Sequence, residues 1–189
     1  MLDTNPETPR RALFLDRDGV INEEIGYLFR AEEVRFVPGI VSLCQTARRL
    51  GYCIIVVTNQ AGIARGYYTE EDFQRLMQWM QTELAREGVG FDAVYHCPFH
   101  PEHGLGEYRR EHEDRKPGTG MLRRGAREFG VSLEASVMVG DRCTDMAAAN
   151  AAGLRQAFLI GGTESSTCPG RYTAITALAE VERWLIAQG

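Results

Sequence analysis

The sequence has almost no lysine and no long hydrophobic run, and we expect its first residues not to be a signal peptide. Lys116 is the only lysine among 21 basic side chains. Such an excess of arginine usually reflects genome composition, so by itself it indicates no function. No apolar run approaches the ~20 residues that a membrane-spanning helix needs. The first residues, MLDTNPETPRR, have no apolar stretch after a basic segment. We therefore expect a cytoplasmic protein with no membrane association.

Strong basic runs of the kind that bind nucleic acid are also missing. The net charge is −5 at pH 7, so a nucleic-acid partner is not expected. The hydrophobic fraction of 44% and the charged fraction of 25% are typical of globular proteins. A length of 189 residues predicts about one compact domain. We expect a monomer whose partner is a small molecule.

The cysteines show no spacing typical of a disulfide framework. Their number is odd and their positions are scattered, which favours reduced thiols in a cytoplasm. We therefore expect reduced cysteines at Cys44, Cys53, Cys97, Cys143 and Cys168.

Short apolar runs alternate with helical patterns along the chain. This alternation predicts an α/β fold with a parallel sheet flanked by helices. Residues 1–10 are predicted to be a flexible tail, and residues 11–189 a single domain with a long loop at 97–118. The predicted strands are 11–16, 53–57, 93–96, 137–140 and 157–160. Helices are predicted at 38–51, 121–129, 144–152 and 173–187. A further helix is predicted to begin at a capping box formed by Thr69 and Asp72.

Polar clusters follow three of the predicted strands. They are Asp16-Arg17-Asp18, Thr58-Asn59-Gln60 and Gly140-Asp141-Arg142. Ligands of parallel α/β sheets bind beyond the carboxyl ends of the strands. We therefore expect the functional site at this edge of the sheet.

The aspartates in these clusters are candidates for metal binding. Carboxylates held close together favour protonation unless a cation is present, and Mg²⁺ prefers oxygen ligands. Asp16, Asp18 and Asp141 could supply them, with Asp145 as support one helical turn later. The alternative is that these aspartates are only turn and helix-cap residues. The presence of Thr58 and Lys116 argues against that alternative.

These residue types suit phosphoryl transfer. An aspartate can act as a nucleophile, which gives that role to Asp16. Thr58 and Lys116 can offset charge on the phosphoryl oxygens. Asp18 can donate a proton to the leaving oxygen and later accept one from water.

The motifs resemble those of the haloacid-dehalogenase (HAD) superfamily of phosphatases. The segment from Asp16 to Asn22 reads DRDGVIN, like the first motif of that superfamily. TNQ followed by GIARG resembles the second motif, RKP the third, and GDR with Asp145 the fourth. The resemblance implies a Rossmann-like HAD fold. Only about forty residues separate Asp18 from Thr58, so we expect no large cap domain.

Within this superfamily, the sequence is similar to the D-glycero-D-manno-heptose 1,7-bisphosphate phosphatases, close relatives of the histidinol-phosphate phosphatases. The segments TNQAGIARG, YHCPFHP and RKPGTGM carry this similarity. The resemblance implies Mg²⁺ held by the Asp16 and Asp141 side chains and the Asp18 backbone carbonyl. It implies substrate contacts from Glu24, Ile25, Gly26, Tyr27, Asn59, Gln60, Ala61, Arg115 and Arg142.

Zinc-bearing members of this group carry a Cys-x-His pair and a Cys-x-Cys pair in the long loop. Here the corresponding positions are Cys97 with Phe99, and His112 with Asp114. Phenylalanine cannot bind zinc, and both later cysteines are absent. We therefore expect no structural zinc, and a loop held by hydrogen bonds and packing.

The leading hypothesis is a Mg²⁺-dependent phosphatase that removes the 7-phosphate of heptose 1,7-bisphosphate through an aspartyl-phosphate, on the route to ADP- or GDP-heptose for the cell envelope. The alternatives are a histidinol-phosphate phosphatase of histidine biosynthesis and a phospho-ligand binding protein without catalysis. A binding protein that has lost catalysis would be expected to lack the nucleophile, yet Asp16 is present.

Overall fold

The computed structural model describes residues 9–161 and 167–188. Its strands form one six-stranded parallel sheet with the order β3-β2-β1-β4-β5-β6. This arrangement confirms the predicted α/β class with a parallel sheet. The strands are β1 (Arg11–Leu15), β2 (Tyr52–Asn59), β3 (Ala93–Cys97), β4 (Val137–Gly140), β5 (Gln156–Ile160) and β6 (Thr173–Ile175).

In the described residues, six α-helices and three short 3₁₀ turns connect the strands or follow the last of them. Thr69 and Asp72 form the predicted capping box at the start of the third helix, since each side chain accepts a hydrogen bond from the other residue's backbone N–H. The helices are α1 (Ile40–Arg49), α2 (Ala61–Ala64), α3 (Glu70–Arg86), α4 (Gly120–Phe129), α5 (Cys143–Ala152) and α6 (Leu178–Gln188). The turns are Ala31–Glu33, Gly106–Tyr108 and Leu133–Ala135.

The hydrophobic core lies on both faces of the sheet. Leu13 and Leu15 of β1 belong to the cluster that includes α1, α3 and α6. Ala12 and Phe14, which alternate with them, belong to the cluster that includes α4 and α5. Burial on both faces explains why β1 and β2 are almost continuously apolar in sequence.

The strand order brings the predicted polar clusters together. The chain adds β2 and β3 on one side of β1, then returns to place β4 on the other side. The order therefore reverses between β1 and β4, and such switch points are where α/β sheets bind ligands. Between β1 and β2, the described chain forms only a 3₁₀ turn and α1 as regular elements. The expectation of no large cap domain is confirmed.

Two elements differ from the sequence prediction. Residues 173–175 were expected to begin the last helix, but they form β6, in which Phe158 of β5 is paired with Thr173. β-branched Thr173 and Ile175 suit an extended strand, and the helix begins only at Leu178. The four-residue helix α2 is too short to show a helical period in sequence.

The expectation that all five cysteines are reduced is wrong for one pair. Cys143 and Cys168 form a disulfide with a Cα–Cα distance of 4.9 Å, while Cys44, Cys53 and Cys97 are free and buried. The pair is 25 residues apart in sequence. The fold places the start of α5 beside the segment that precedes β6, and cysteine spacing carries no sign of that proximity.

Residues 1–8 of the predicted tail lie outside the described residues, and residues 9 and 10 are described. Arg10 already contacts the folded domain, because its carbonyl accepts a hydrogen bond from Ser132 N at 2.8 Å. In the part of the chain that the structure describes, no helix is both long and apolar enough to cross a membrane.

The loop at 97–118 is held by a hydrogen bond within the loop and by hydrogen bonds to two neighbouring helices. His100 N donates to Tyr108 O at 3.0 Å, within the loop itself. Leu105 N donates to Ala64 O at 2.8 Å, which joins the loop to α2. The Tyr108 hydroxyl donates to Glu70 Oε1 of α3 at 2.9 Å. These contacts fix the loop over the carboxyl edge of β2 and β3.

Candidate active site

The ends of β1, β2 and β4 surround a cavity of about 620 Å³. This volume lies within the usual range of small-molecule sites, roughly 300–1,000 Å³. Asp16 follows β1, Thr58 lies near the end of β2, and Arg142 follows β4. Most of the predicted site residues line this cavity. They are Asp16, Asp18, Glu24, Gly26, Tyr27, Thr58, Asn59, Gln60, Ala61, Arg115, Lys116 and Arg142.

Lys116 is the buried cation at the base of this cavity, with only 3% of its surface exposed. Its Nζ lies 3.0 Å from Asp16 Oδ2 and 2.5 Å from Asp145 Oδ1. It also donates a hydrogen bond to Val57 O at 2.9 Å. Burial opposes the lysine charge, but Asp145 and Asp16 outweigh it and raise the pKa of Lys116. The ammonium is therefore charged at neutral pH.

Asn59 fixes the backbone of Lys116. Its Oδ1 accepts a hydrogen bond from Lys116 N, and its Nδ2 donates to Lys116 O, each at 3.0 Å. The side chain amide at the end of β2 thus holds a loop residue 57 positions later in the chain. Asn59 lines the cavity as predicted, but its amide is engaged in positioning Lys116.

Three aspartates form a cluster that can hold a metal ion. Carboxylate oxygens of Asp16, Asp141 and Asp145 lie within 4.8 Å of one another. Burial, together with the charges of Asp145 and Asp141, raises the pKa of Asp16 to about 7, although Lys116 acts in the opposite direction. Burial and the charge of Asp145 raise the pKa of Asp141 to about 6.

A hard divalent cation fits this cluster. Asp141 Oδ1 is buried and has no hydrogen-bond partner among the described residues. Carboxylate oxygens are the ligands that Mg²⁺ prefers, and a cation would remove the repulsion that favours protonation. The donor set and the orphaned oxygen therefore both fit Mg²⁺.

Gly19 allows Asp141 to approach the first motif. A Cβ atom at position 19 would lie 2.5 Å from Asp141 Oδ2. The φ angle of Gly19 is +78°, in the left-handed region that favours glycine. A side chain at this position would displace Asp141 from the cluster.

The carboxylate of Asp18 is held from several sides. The Arg17 guanidinium donates to both of its oxygens, with the shortest distances at 2.8 Å. Asn22 Nδ2 donates to Oδ1 at 3.0 Å, and Gln60 Nε2 donates to Oδ2 at 3.1 Å. These contacts fix the orientation of Asp18 toward the cavity.

The second motif is fixed by a chain of buried hydrogen bonds. Gln60 Nε2 donates to Thr58 Oγ1 at 2.8 Å, and the Tyr68 hydroxyl donates to Gln60 Oε1 at 2.5 Å. Burial raises the pKa of Tyr68 to about 12, so its hydroxyl remains protonated. Sequence reasoning assigned no role to Arg17, Asn22 or Tyr68. Asn22 could have been found, because it closes the first motif.

Comparisons with known proteins show the family to which the chain belongs. A family model described as HAD-hydrolase-like matches residues 114–176. A D-glycero-alpha-D-manno-heptose-1,7-bisphosphate 7-phosphatase from Burkholderia mallei is 51% identical over 156 residues, 82% of each chain. A D-glycero-beta-D-manno-heptose-1,7-bisphosphate 7-phosphatase from Vibrio cholerae is 43% identical over 171 residues, 90% of this chain and 91% of that one. The chain belongs to the heptose-bisphosphate phosphatase family of HAD-like hydrolases. It is thus a phosphoric monoester hydrolase by family.

A solved structure in this family matches the fold closely. The D,D-heptose 1,7-bisphosphate phosphatase from B. bronchiseptica, complexed with magnesium and phosphate, has a TM-score of 0.80 and 27% identity. The match covers 95% of this chain and 99% of that one. This likeness confirms the Rossmann-like HAD fold.

Of the residues predicted to contact substrate, Ile25 lies outside the cavity, and Arg142 lines it while held in an ion pair. Ile25 is 52% exposed and does not line the cavity. Arg142 lines it while paired with Glu24, at 2.8 Å between Nη2 and Oε2. An ion pair therefore lies at the cavity wall on this side, and Ile25 lies outside the cavity.

The positions that bind zinc in some family members make other contacts here. The Phe99 ring stacks on His112, with 4.6 Å between ring centroids. Asp114 forms an ion pair with Arg124 at 2.5 Å, and Cys97 is buried. The absence of structural zinc stays a prediction, and these contacts show how the loop packs.

The raised pKa values predict a pH-dependent stability for the metal-free protein. Asp16 and Asp141 hold protons in the folded chain up to about pH 7 and about pH 6, whereas their ordinary value is 3.8. The folded state then binds more protons than the unfolded state, so these groups lower the free energy of unfolding as pH rises from about 4 to 7. Asp141→Asn should flatten this slope, measured by urea unfolding in EDTA. An unchanged slope in Asp141→Asn would contradict the assignment.

Proposed function

We propose that this protein is a Mg²⁺-dependent phosphatase that removes the 7-phosphate of D-glycero-D-manno-heptose 1,7-bisphosphate. The product would serve the synthesis of ADP- or GDP-heptose for lipopolysaccharide and the cell envelope. The observation that carries the proposal is the buried ion pair of Lys116 and Asp16 beside Asp141, at the switch point of the sheet. The names of relatives that cover most of the chain support the choice of substrate.

In this proposal Asp16 is the nucleophile. One of its carboxylate oxygens attacks phosphorus and forms an aspartyl-phosphate, while the bond from phosphorus to the sugar oxygen breaks. Lys116, 3.0 Å from Asp16 Oδ2, holds the carboxylate in place and contributes positive charge beside the phosphoryl oxygens. The Thr58 hydroxyl, which accepts from Gln60, is free to donate its own proton to a phosphoryl oxygen.

Asp18 moves the protons in both halves of the reaction. In the protonated form it donates its proton to the departing sugar oxygen. As a carboxylate it then accepts a proton from the water that attacks the aspartyl-phosphate, which releases phosphate and restores Asp16. Arg17, Asn22 and Gln60 keep the Asp18 side chain oriented for both transfers.

The side chains of Asp16 and Asp141 and the backbone carbonyl of Asp18 would hold Mg²⁺, with Asp145 in support. When bound, the ion supplies positive charge that offsets the charge of the phosphoryl group. Asp145 also accepts a hydrogen bond from Arg142 N at 3.0 Å, which links the start of α5 to Lys116.

The remaining substrate contacts are proposed for the cavity wall. Glu24, Gly26 and Tyr27 come from the loop after β1, Asn59, Gln60 and Ala61 from the second motif, and Arg115 and Arg142 from the third and fourth motifs.

We also propose that the protein acts as a monomer in the cytoplasm, without nucleic acid or membrane partners. Disulfides are rare in that compartment, so the Cys143–Cys168 bond is an unusual feature there.

The substrate assignment is tested by phosphate release in the presence of Mg²⁺. We expect the kcat/KM for one anomer of heptose 1,7-bisphosphate to exceed that for histidinol phosphate and p-nitrophenyl phosphate by at least about 100-fold. Asp16→Asn should abolish turnover while leaving the thermal unfolding transition intact, since the nucleophilic oxygen is lost. Comparable rates on all substrates would contradict the assigned substrate, and retained turnover in Asp16→Asn would contradict the nucleophile.

The role of Lys116 is tested by the substitution that keeps its charge. Lys116→Arg places a planar guanidinium where an ammonium has three partners within 3.0 Å, and the two groups are not equivalent. We expect kcat to fall about 100-fold or more, measured at saturating Mg²⁺ on the preferred substrate. Near-normal kcat in a folded Lys116→Arg protein would refute the role.

A further inference from the structure

The disulfide between Cys143 and Cys168 lies at the wall of the candidate active site. Cys143 is the first residue of α5 and directly follows Arg142, and both residues line the cavity. Cys143 is exposed and Cys168 is half-buried. This pair is therefore within reach of thiol reagents in solution.

The other three cysteines lie in the hydrophobic core. Cys44 and Cys97 have no exposed surface, and Cys53 is 8% exposed. Burial raises the pKa of the Cys44 thiol to about 12, although Arg48 acts in the opposite direction. Buried structural cysteines are inert, because the reactive form is an accessible thiolate. Oxidation of thiols in this chain therefore falls on Cys143 and Cys168.

On one side, the disulfide holds the first turn of α5. Asp145 in this turn accepts a hydrogen bond from Arg142 N at 3.0 Å and contacts Lys116 Nζ at 2.5 Å. Asp141, two residues before Cys143, has a buried Oδ1 without a hydrogen-bond partner among the described residues. A tether at Cys143 therefore restrains the turn that joins two of the clustered aspartates.

On the other side, the disulfide holds residues 167–172, which precede β6. The Asn150 side chain accepts a hydrogen bond from Arg171 N at 2.8 Å and donates one to Arg171 O at 2.9 Å. Asn150 lies about two helical turns beyond Cys143. The segment is thus attached near the end of α5 by an amide and at its start by the disulfide. Loss of the disulfide removes the covalent restraint on the first turn and leaves the amide attachment.

A permanent bond at this position does not suit the proposed compartment. Cytoplasmic disulfides are usually transient, and exposed ones belong to the labile, regulatory class. Oxidation by hydrogen peroxide forms the S–S bond, since the two thiols give up two electrons and two protons and the peroxide is reduced to two water molecules. A dithiol reductant reverses the step by returning two electrons and two protons, and becomes a disulfide itself.

We propose that Cys143 and Cys168 are a reversible thiol–disulfide modification site, and that the bond between them strengthens Mg²⁺ binding at the neighbouring aspartates. With the bond, the turn that follows Asp141 and carries Asp145 is held in place before the ion binds. Without it, the turn must be ordered on binding, and that ordering lowers the affinity. The inference rests on the proposed function, since it concerns the regulation of the same site.

The test compares the oxidised and reduced forms of the full chain. Thiol titration in denaturant should find three free thiols after mild peroxide treatment and all five after treatment with a dithiol reductant. Calorimetric titration of each form with Mg²⁺, after removal of the reagent, should give a Kd about 3- to 10-fold higher for the reduced form. This effect is no larger than the usual loss of a group that supports a metal ligand, about 10- to 100-fold.

Cys168→Ser separates the bond from the side chain at the cavity wall. It removes the disulfide and keeps Cys143, so its Kd for Mg²⁺ should match that of reduced wild type after either treatment. Cys44→Ala is the matched control, because it removes a buried cysteine outside the pair. The oxidised and reduced forms of folded Cys44→Ala should differ in Kd as those of wild type do. A Kd that responds to oxidation in Cys168→Ser, or does not respond in Cys44→Ala, would overturn the inference.

The two levels of the proposal fail differently. If both forms of wild type bind Mg²⁺ with the same Kd, only the inference is overturned, even where reduction lowers Tm, because the bond is then a structural staple alone. Five free thiols after peroxide treatment would overturn it as well. If neither form shows saturable Mg²⁺ binding, the proposed function is overturned and the inference falls with it.

Discussion

The active site depends on a charge imbalance that the fold itself creates. The strand order places Asp16 and Asp141 at neighbouring strand ends, and the first turn of α5 adds Asp145. Lys116 is the one ammonium among these three carboxylates, and it contacts two of them. One positive charge does not offset three negative ones in a buried site. The proposed site for a divalent cation, and with it for a phosphoryl group, rests on this excess of negative charge.

Two side-chain amides at the end of β2 hold the proposed reacting groups in place. Asn59 is bound to the backbone of Lys116, and Gln60 is bound to Thr58 and Asp18, so these amides position the reactive side chains. Arg65 and Arg115 make no such contacts with the aspartates. The cavity thus combines hydrogen-bonded carboxylates and Lys116 with two arginines, one directly after α2 and one in the long loop.

Sequence reasoning predicted most of this arrangement where local signals were strong. The polar clusters at strand ends located Asp16, Thr58 and Asp141, because parallel strands bring their carboxyl ends to one edge. The support that Arg17 gives to Asp18 was missed, since the position of a residue within a motif does not show which way its side chain turns. The Cys143–Cys168 bond and the buried Nε of Arg65 were missed because both depend on segments that meet only in the folded chain.

The central claim is that the Asp16 and Asp141 side chains and the Asp18 carbonyl, with Asp145 in support, hold one divalent cation. Calorimetric titration of metal-free protein with Mg²⁺ tests it most directly. We predict one saturable site per chain in the wild-type protein. The site should be lost in Asp141→Asn and unaffected in Glu107→Gln, where the residue replaced lies exposed in the long loop. Absence of saturable binding in wild type, or equal affinity in Asp141→Asn, would contradict the claim.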